Sequence, residues 1–425
     1  MRWLIIAWVF VISAVAYLDR VNISIAGRNI ANEFHLDNVR LGWIFSAFVF
    51  GYAVAQTPMG RLADWWGPRW TILGGVIWWG IFTTAITILN PSAGGAVVLL
   101  MGARFLLGVG EAVVYPGSNR LVAAWIPSSE RGLANGIIFA GVGFGAGVTP
   151  PLITWLILNY GWRSAFWASS VIGIVVGMLW FVIARDTPME HPWLSPSEAT
   201  YIAAGLPANS RADAAPLSWG AILKNQAIWL VSFSYFAYGY AAYIFFTWFF
   251  IYLNEVRHLN MRQSALYTML PFIAMAVASP LGGVVSDRLT KRNGKRAGRC
   301  GVAVAGMALS AIFIAVAMEV TSVELASVML AGGAGALYLS QSSFWSVSAD
   351  IGGRSAGSVS GFMNMIGQFG GVATASLTPL IARSWGWNAS FLTAAALCGA
   401  GALAWVVVEP EGLSRKRTAA TAEVS

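Results

Sequence analysis

LIIAWVFVISAVAYLDRVNISIA, residues 4–26, is an apolar run with a carboxylate and a guanidinium side by side at Asp19 and Arg20. About 20 apolar residues suffice for a helix to cross a bilayer, so the run reads as a membrane span. A charge at bilayer depth costs on the order of 3 kcal/mol even on lenient insertion scales, and ionisable groups kept there tend to line a substrate or ion path. A cleaved signal peptide fits poorly: no small-residue cleavage site follows, and a disposable apolar region has no need of Asp19-Arg20.

The whole chain has the same character. Of 425 residues, 57% are hydrophobic and only 10% charged, against roughly 25% charged in a soluble domain. Further runs of spanning length lie near 41–59, 70–89, 96–115, 134–157, 165–184, 227–253, 265–285, 301–318, 324–347, 357–381 and 389–408. These twelve runs are continuous and lack the alternation of barrel strands, so they are expected to be helices. The fold class is therefore an all-α polytopic membrane protein with twelve transmembrane helices.

Arginine and lysine set the expected orientation. One set of connections holds Arg2, Arg61, Arg69, Arg120, Arg131, Arg185, Arg211, Lys224, the Arg288–Arg299 cluster, Arg354 and Arg415-Lys416-Arg417. The other holds only Arg28, Arg40, Arg163, Arg257, Arg262 and Arg383. Both termini are thus expected in the cytoplasm, and the net charge of +8 is explained without nucleic acid. Cys300 and Cys398 form neither a disulfide framework nor a metal set and read as packing residues.

The chain divides into two six-helix bundles, residues 1–184 and 227–408, joined by a proline-punctuated cytoplasmic linker at 185–226 and followed by a cytoplasmic tail at 409–425. Internal repetition supports the division. Gly60-Arg61-Leu62-Ala63-Asp64 after the second span matches Gly283-Val284-Val285-Ser286-Asp287 after the eighth, and Gly161-Trp162-Arg163-Ser164-Ala165-Phe166 matches Gly386-Trp387-Asn388-Ala389-Ser390-Phe391. The fifth and eleventh spans are glycine-rich, and these equivalent spans are expected to pack closely across the seam; ordinary tight helix packing is the plainer reading.

Gly60-Arg61-Leu62-Ala63-Asp64-Trp65-Trp66-Gly67-Pro68-Arg69 resembles the loop signature of the major facilitator superfamily, whose duplicated halves rock about a midplane site. A narrower likeness is carried by Tyr17-Leu18-Asp19-Arg20-Val21-Asn22, Arg104 to Glu111, Tyr115 to Arg120, Phe344-Trp345 with Asp350, and Gly361 to Gly367. Together these resemble the anion:cation symporter family, whose members mostly move organic anions with protons. The resemblance implies that Arg20 holds a substrate carboxylate, that Asp19 and Glu111 take part in proton coupling, and that Arg104 pairs with the acidic site. Sugar-acid members carry polar side chains midway along the fifth helix, where this chain has Phe139-Ala140-Gly141-Val142-Gly143-Phe144.

The residues themselves point the same way. His35, His191 and His258 all lie in connections, so a carboxylate must carry any proton at depth, and burial makes its neutral form accessible. Asp19 and Glu111 against Arg20 and Arg104 make a neutral site. Protonating Asp19 would leave one positive charge to be matched by an entering anion, which an arginine fork grips well. Static buried ion pairs that merely orient helices are the bland alternative. Arg104 and Glu111 share a helix face two turns apart, about 10 Å, with direct contact left open.

Further candidates for substrate binding are Tyr52 and Gln56 on the second span, Tyr243 on the seventh, Gln341 and Ser342 on the tenth, and Asn364 and Gln368 on the eleventh, each alternatively packing glue. Asp64, Arg69 and Asp287 are candidates for gating. The resulting expectation is a secondary transporter, not an enzyme. It would import a small organic anion such as a sugar acid by proton symport, in a bacterial-type inner membrane, as a monomer. It would need no cofactor and no metal, with the proton as coupling ion. An exchanger or exporter without net proton movement stands as the alternative, and a membrane sensor or embedded enzyme as a remote one.

Overall fold

The structure is a computed structural model that describes residues 1–127, 131–205, 218–352 and 356–409. Every regular element in it is helical. The first half comprises α1 (Arg2–Glu33), α2 (Asn38–Trp66), α3 (Pro68–Thr87), α4 (Ala96–Glu111), α5 (Val114–Trp125), α6 (Arg131–Tyr160) and α7 (Trp162–Ile183). Two short helices, α8 (Pro196–Gly205) and α9 (Trp219–Lys224), lie in the linker. The second half comprises α10 (Gln226–Thr247), α11 (Phe249–Glu255), α12 (Met261–Lys295), α13 (Gly301–Glu319), α14 (Val323–Leu339), α15 (Gln341–Gly352), α16 (Ala356–Trp385) and α17 (Trp387–Val407).

Among the described residues, eleven runs are long and apolar enough to cross a membrane, one of them the 59 residues from Met261 to Glu319. At 1.5 Å per residue that run would extend roughly 88 Å, far more than one bilayer. It turns instead at Gly294, whose φ of 83° breaks the helix, and α12 and α13 become separate crossings. Twelve crossings result, as the sequence predicts. An even number returns the chain to the side where it began, called here the terminus side.

The repeat seen in the sequence reappears in the backbone. Gly161 and Gly386, at φ 81° and 86°, each make the one-residue joint between the last two crossings of a half. Gly67, at φ 79°, joins α2 to α3, with Pro68 in the first turn of α3. A Cβ on Gly67 would run into the Asp186 carboxylate, so both dihedral and space demand glycine here. On the face opposite the termini the remaining connections are short as well: 34–37, 88–95, 256–260 and 320–322.

The bundles meet along two seams, α2 against α16 and α6 against α12. The glycine-rich crossings do not pair with each other, as the sequence reading expected; α6 crosses to α12 and α16 to α2. Gly143 meets Ala276 across one seam, and Gly42 backs onto the Ala375 carbonyl across the other. Gly141 and Gly145, by contrast, admit the backbone of α1 within their own bundle. The small side chains thus serve both purposes, because any backbone closer than a side chain's width requires them.

On the far side the bundles are fastened together. Arg28 of α1 pairs with Glu255 of α11 at 2.6 Å, and Asn38 of α2 donates to the same carboxylate at 3.1 Å. Beneath, Ser46 of α2 bonds the Ser376 hydroxyl at 2.6 Å and the Val372 carbonyl at 3.0 Å, while Phe45 packs on Trp248.

Candidate functional site

Among the described residues three crossings are interrupted, two of them near their middle and the α10–α11 crossing toward its far-side end, before the 7 residues of α11. α4 gives way to α5 at Ala112-Val113, α10 to α11 at Trp248, and α14 to α15 at Ser340. The first break falls directly after Glu111, and the first and third occupy equivalent places in the two halves. Broken helices at mid-membrane depth are tolerated where they border a cavity or a site, since freed backbone groups need partners.

The four charges of the sequence reading are all inside the protein: Asp19, Arg20, Arg104 and Glu111 are 2%, 4%, 2% and 1% exposed. Their pairing differs from the expectation. Arg20 bonds Glu111, not Asp19, with Nη2 to Oε2 at 3.0 Å. Neighbouring residues on a helix project about 100° apart, so Asp19 and Arg20 diverge. Arg20 points toward α2, α4 and α10, its guanidinium 4.5 Å from the Tyr17 and Tyr52 ring centres.

Asp19 lies on the face of Val15 and Asn22. Val15 lines the space beside Gly173 of α7, and Asn22 donates to Ser169 of α7 at 3.0 Å. Asp19 therefore faces the interior of the first bundle, and neither of its oxygens finds a hydrogen-bond partner among the described residues. Arg104 makes no ion pair or hydrogen bond with Glu111; its guanidinium stands 4.5 Å over Phe48.

From Arg20 a chain of hydrogen bonds crosses between the bundles and back. Arg20 Nη1 donates to the Tyr243 hydroxyl at 3.1 Å, and that hydroxyl donates to Gln368 Oε1 at 2.8 Å. Gln368 Nε2 reaches Asn364 Oδ1 at 3.4 Å, and Asn364 Nδ2 donates to Gln56 Oε1 at 2.7 Å. The chain begins on α1, passes through α10 and α16, and ends on α2. It ties the ionised pair to the α2–α16 seam.

Beside this chain lies a cavity of 60 Å³ between the bundles, room for a few waters or a small polar group. Its walls are aromatic: Tyr17, Tyr52 and Tyr115 from the first bundle face Tyr235, Tyr238, Tyr243 and Tyr338 from the second. On the terminus side Phe139 lies between Tyr115, stacked at 5.2 Å, and Trp345 at 5.8 Å. Gln341, Asn364 and Gln368 supply amides to the wall. Arg20 and Arg104 line a separate void of 10 Å³, no larger than one water. Tyr243 and Phe246 border both spaces and so partition the arginines from the cavity.

The remaining candidates are placed as follows. Ser342 lies toward Gly283 of α12 and does not line the cavity. Arg69 is tied within its own bundle, its Nε donating to Phe181 O at 2.9 Å and its backbone N–H to Asp186 at 2.8 Å. Asp287 pairs with Arg299 at 2.8 Å, also within one bundle. Neither crosses to the other bundle in this conformation. The Asp64 side chain lies outside the described residues.

The sequence reading passed over Tyr235, Tyr238 and Tyr338. A signal was present, because Tyr235, Tyr238, Ala242 and Phe246 follow helical spacing along one face of α10, and all four line the cavity. Tyr240, on the same helix, is absent from the cavity lining.

Comparison with known proteins agrees with this architecture. The family model of the Major Facilitator Superfamily matches residues 9–375. A probable sulfoacetate transporter of Cupriavidus necator is 34% identical over 93% of this chain and 91% of its own length. A probable galactarate/D-glucarate transporter of Bacillus subtilis is 31% identical over 96% and 90%. A hexuronate transporter of the same organism is 30% identical over 94% and 93%. Among solved structures, a bacterial homologue of the human lysosomal transporter Spinster, inward-facing and occupied, superposes with a TM-score of 0.75 at 18% identity over 96% of both chains; this likeness concerns the fold. With a duplicated twelve-crossing fold and anion transporters for relatives, the chain belongs to the major facilitator superfamily, in its anion:cation symporter branch, and is an integral membrane transporter rather than an enzyme.

Proposed function

We propose that the protein imports a small organic anion, a sugar acid or another compact carboxylate, in symport with protons by alternating access. The termini then lie in the cytoplasm, no cofactor is needed, and one chain suffices. The observation that carries the reading is the buried Arg20–Glu111 pair, reached from the opposite bundle by Tyr243. An unpaired buried charge is costly and a paired one much less so. A proton arriving on Glu111 releases Nη2 of Arg20, and the substrate carboxylate takes the vacated place. Loss of that proton after reopening restores the pair and expels the anion.

In this proposal Glu111 takes the role that the sequence reading gave first to Asp19, supported by its contact with Arg20. Asp19, buried and away from the cavity lining, serves as a second protonatable position inside the first bundle. Tyr243 moves with the second bundle, so its departure opens the arginines to the cavity, and its return closes them.

The test is uptake into vesicles reconstituted with purified protein, under an imposed pH gradient and with a panel of sugar acids, sulfonates and dicarboxylates. Arg20→Ala is expected to abolish uptake, and Glu111→Gln to keep exchange while losing accumulation driven by the gradient. Concentrative uptake of normal size in both variants would exclude the scheme. Accumulation indifferent to the gradient in the wild type would favour an exchanger.

A further inference from the structure

A second space, larger than the cavity between the bundles' polar faces, lies elsewhere. It is a groove of 680 Å³ on the outside of the molecule, at the far-side end of the α2–α16 seam. α2 contributes Trp43, Ala47 and Phe50, α4 contributes Met101, Gly102 and Phe105, and Val372 and Ser376 come from α16 in the other bundle. No charged side chain lines it. The two hydroxyls at its base, Ser46 and Ser376, satisfy each other and the Val372 carbonyl, which leaves the indole N–H of Trp43 at the rim as the polar side-chain group of the lining without a partner among the described residues. Its rim belongs to the exposed apolar surface, with Trp43 46%, Phe50 44% and Val98 71% exposed.

We propose that this groove binds one acyl chain of a bilayer phospholipid. Three features argue for that occupant. The chain is an integral membrane protein, so the exposed rim faces hydrocarbon. The lining on α4 runs from Val98 to Leu106, about 12 Å along the axis, close to the depth of one leaflet, half of a hydrocarbon core about 30 Å thick. A polar or charged ligand would find little to bond beyond the Trp43 indole N–H, whereas a shallow apolar groove open along its length suits an extended hydrocarbon chain.

The position of the groove gives the occupant a consequence. Its walls come from both bundles, so it is complete only while α2 and α16 are docked on the far side. A chain seated there binds the far-side-closed state better than one in which the seam has parted, and a ligand that discriminates between states shifts their balance. Surrounding lipid thereby acts as a wedge on the alternating-access equilibrium.

The test uses full-length protein in vesicles containing a phosphatidylcholine that carries a photoactivatable diazirine in its acyl chain, with the adducts mapped by mass spectrometry. Labelling of residues 98–106 is expected to exceed, several-fold, that of the equally apolar outer face of α7 around Val171, Val175 and Val182. A Cβ at Gly102 meets nothing within 4 Å, so Gly102→Phe fills the groove without a backbone clash, and it is expected to remove the excess while leaving α7 labelling unchanged. A second variant, Ala47→Phe, fills it from α2. Labelling of 98–106 no greater than that of α7, or undiminished in both correctly folded variants, would overturn the proposal.

Discussion

Replacing Glu111 with glutamine removes one charge from a pair whose side chains are 3% and 0% exposed. Removing one partner of a buried pair costs about 3–5 kcal/mol, because the other charge is left uncompensated. The lower end applies here. The glutamine keeps an acceptor, and Arg20 retains the Tyr243 and Tyr17 hydroxyls at 3.1 and 3.3 Å and the ring faces of Tyr17 and Tyr52. A loss of about 3 kcal/mol in the unliganded protein is therefore expected. A transported carboxylate supplies the missing negative charge, and at one hundred times its Kd it returns about 2.7 kcal/mol. The assay is thermal unfolding of purified protein against the carboxylate panel at acid and at alkaline pH. In the wild type the ligand-induced shift should grow as pH falls, since protonation must precede the anion. In Glu111→Gln the shift should be as large at alkaline pH as at acid pH. A variant whose ligand shift keeps the wild-type pH dependence, or that no anion stabilises, would refute the assignment of the proton to Glu111.

Other consequences can be measured separately. Tyr243→Phe deletes the hydroxyl that accepts from Arg20 and donates to Gln368; a hydrogen bond to a charged group is worth about 1.5–3 kcal/mol, so uptake should fall at least tenfold while carboxylate binding by thermal shift persists, and unaltered uptake would remove Tyr243 from the coupling path. Glu255→Gln unfastens the far-side contact with Arg28, a half-exposed pair worth up to about 1 kcal/mol; alkylation of a Ser24→Cys reporter by an impermeant thiol reagent added from that side should accelerate up to about fivefold, with no acceleration counting against a latch. Gly67→Ala forces a side chain into a left-handed turn at about 1–2 kcal/mol and against Asp186, so its melting temperature should drop, and an unchanged one would contradict the turn geometry.

Much of the architecture was legible because a bilayer allows few solutions. Uninterrupted apolar runs must be helices, and the repeats at Gly161 and Gly386 or around Gly60 and Gly283 mark where the halves correspond. The limits are equally physical. From the sequence alone, Asp19 is the natural partner of Arg20, yet adjacency on a helix separates side chains by about 100°, and Glu111, ninety-one positions away, closes the pair. Hydropathy locates α10 but cannot tell which of its tyrosines face the cavity until its packing on α16 is known. The seams were also hidden: glycine announces that something approaches closely, and only the three-dimensional arrangement identifies whether that is the same bundle or the other.

The brevity of the joints opposite the termini has a practical corollary. Single residues at Gly161 and Gly386, with stretches of three to five residues at 320–322, 34–37 and 256–260, give proteases, antibodies and docking proteins almost nothing to hold on that face. Only the eight residues 88–95 form a loop of any reach, so an epitope or fluorophore for mapping topology belongs there, and digestion from that side should cut the chain at this single place.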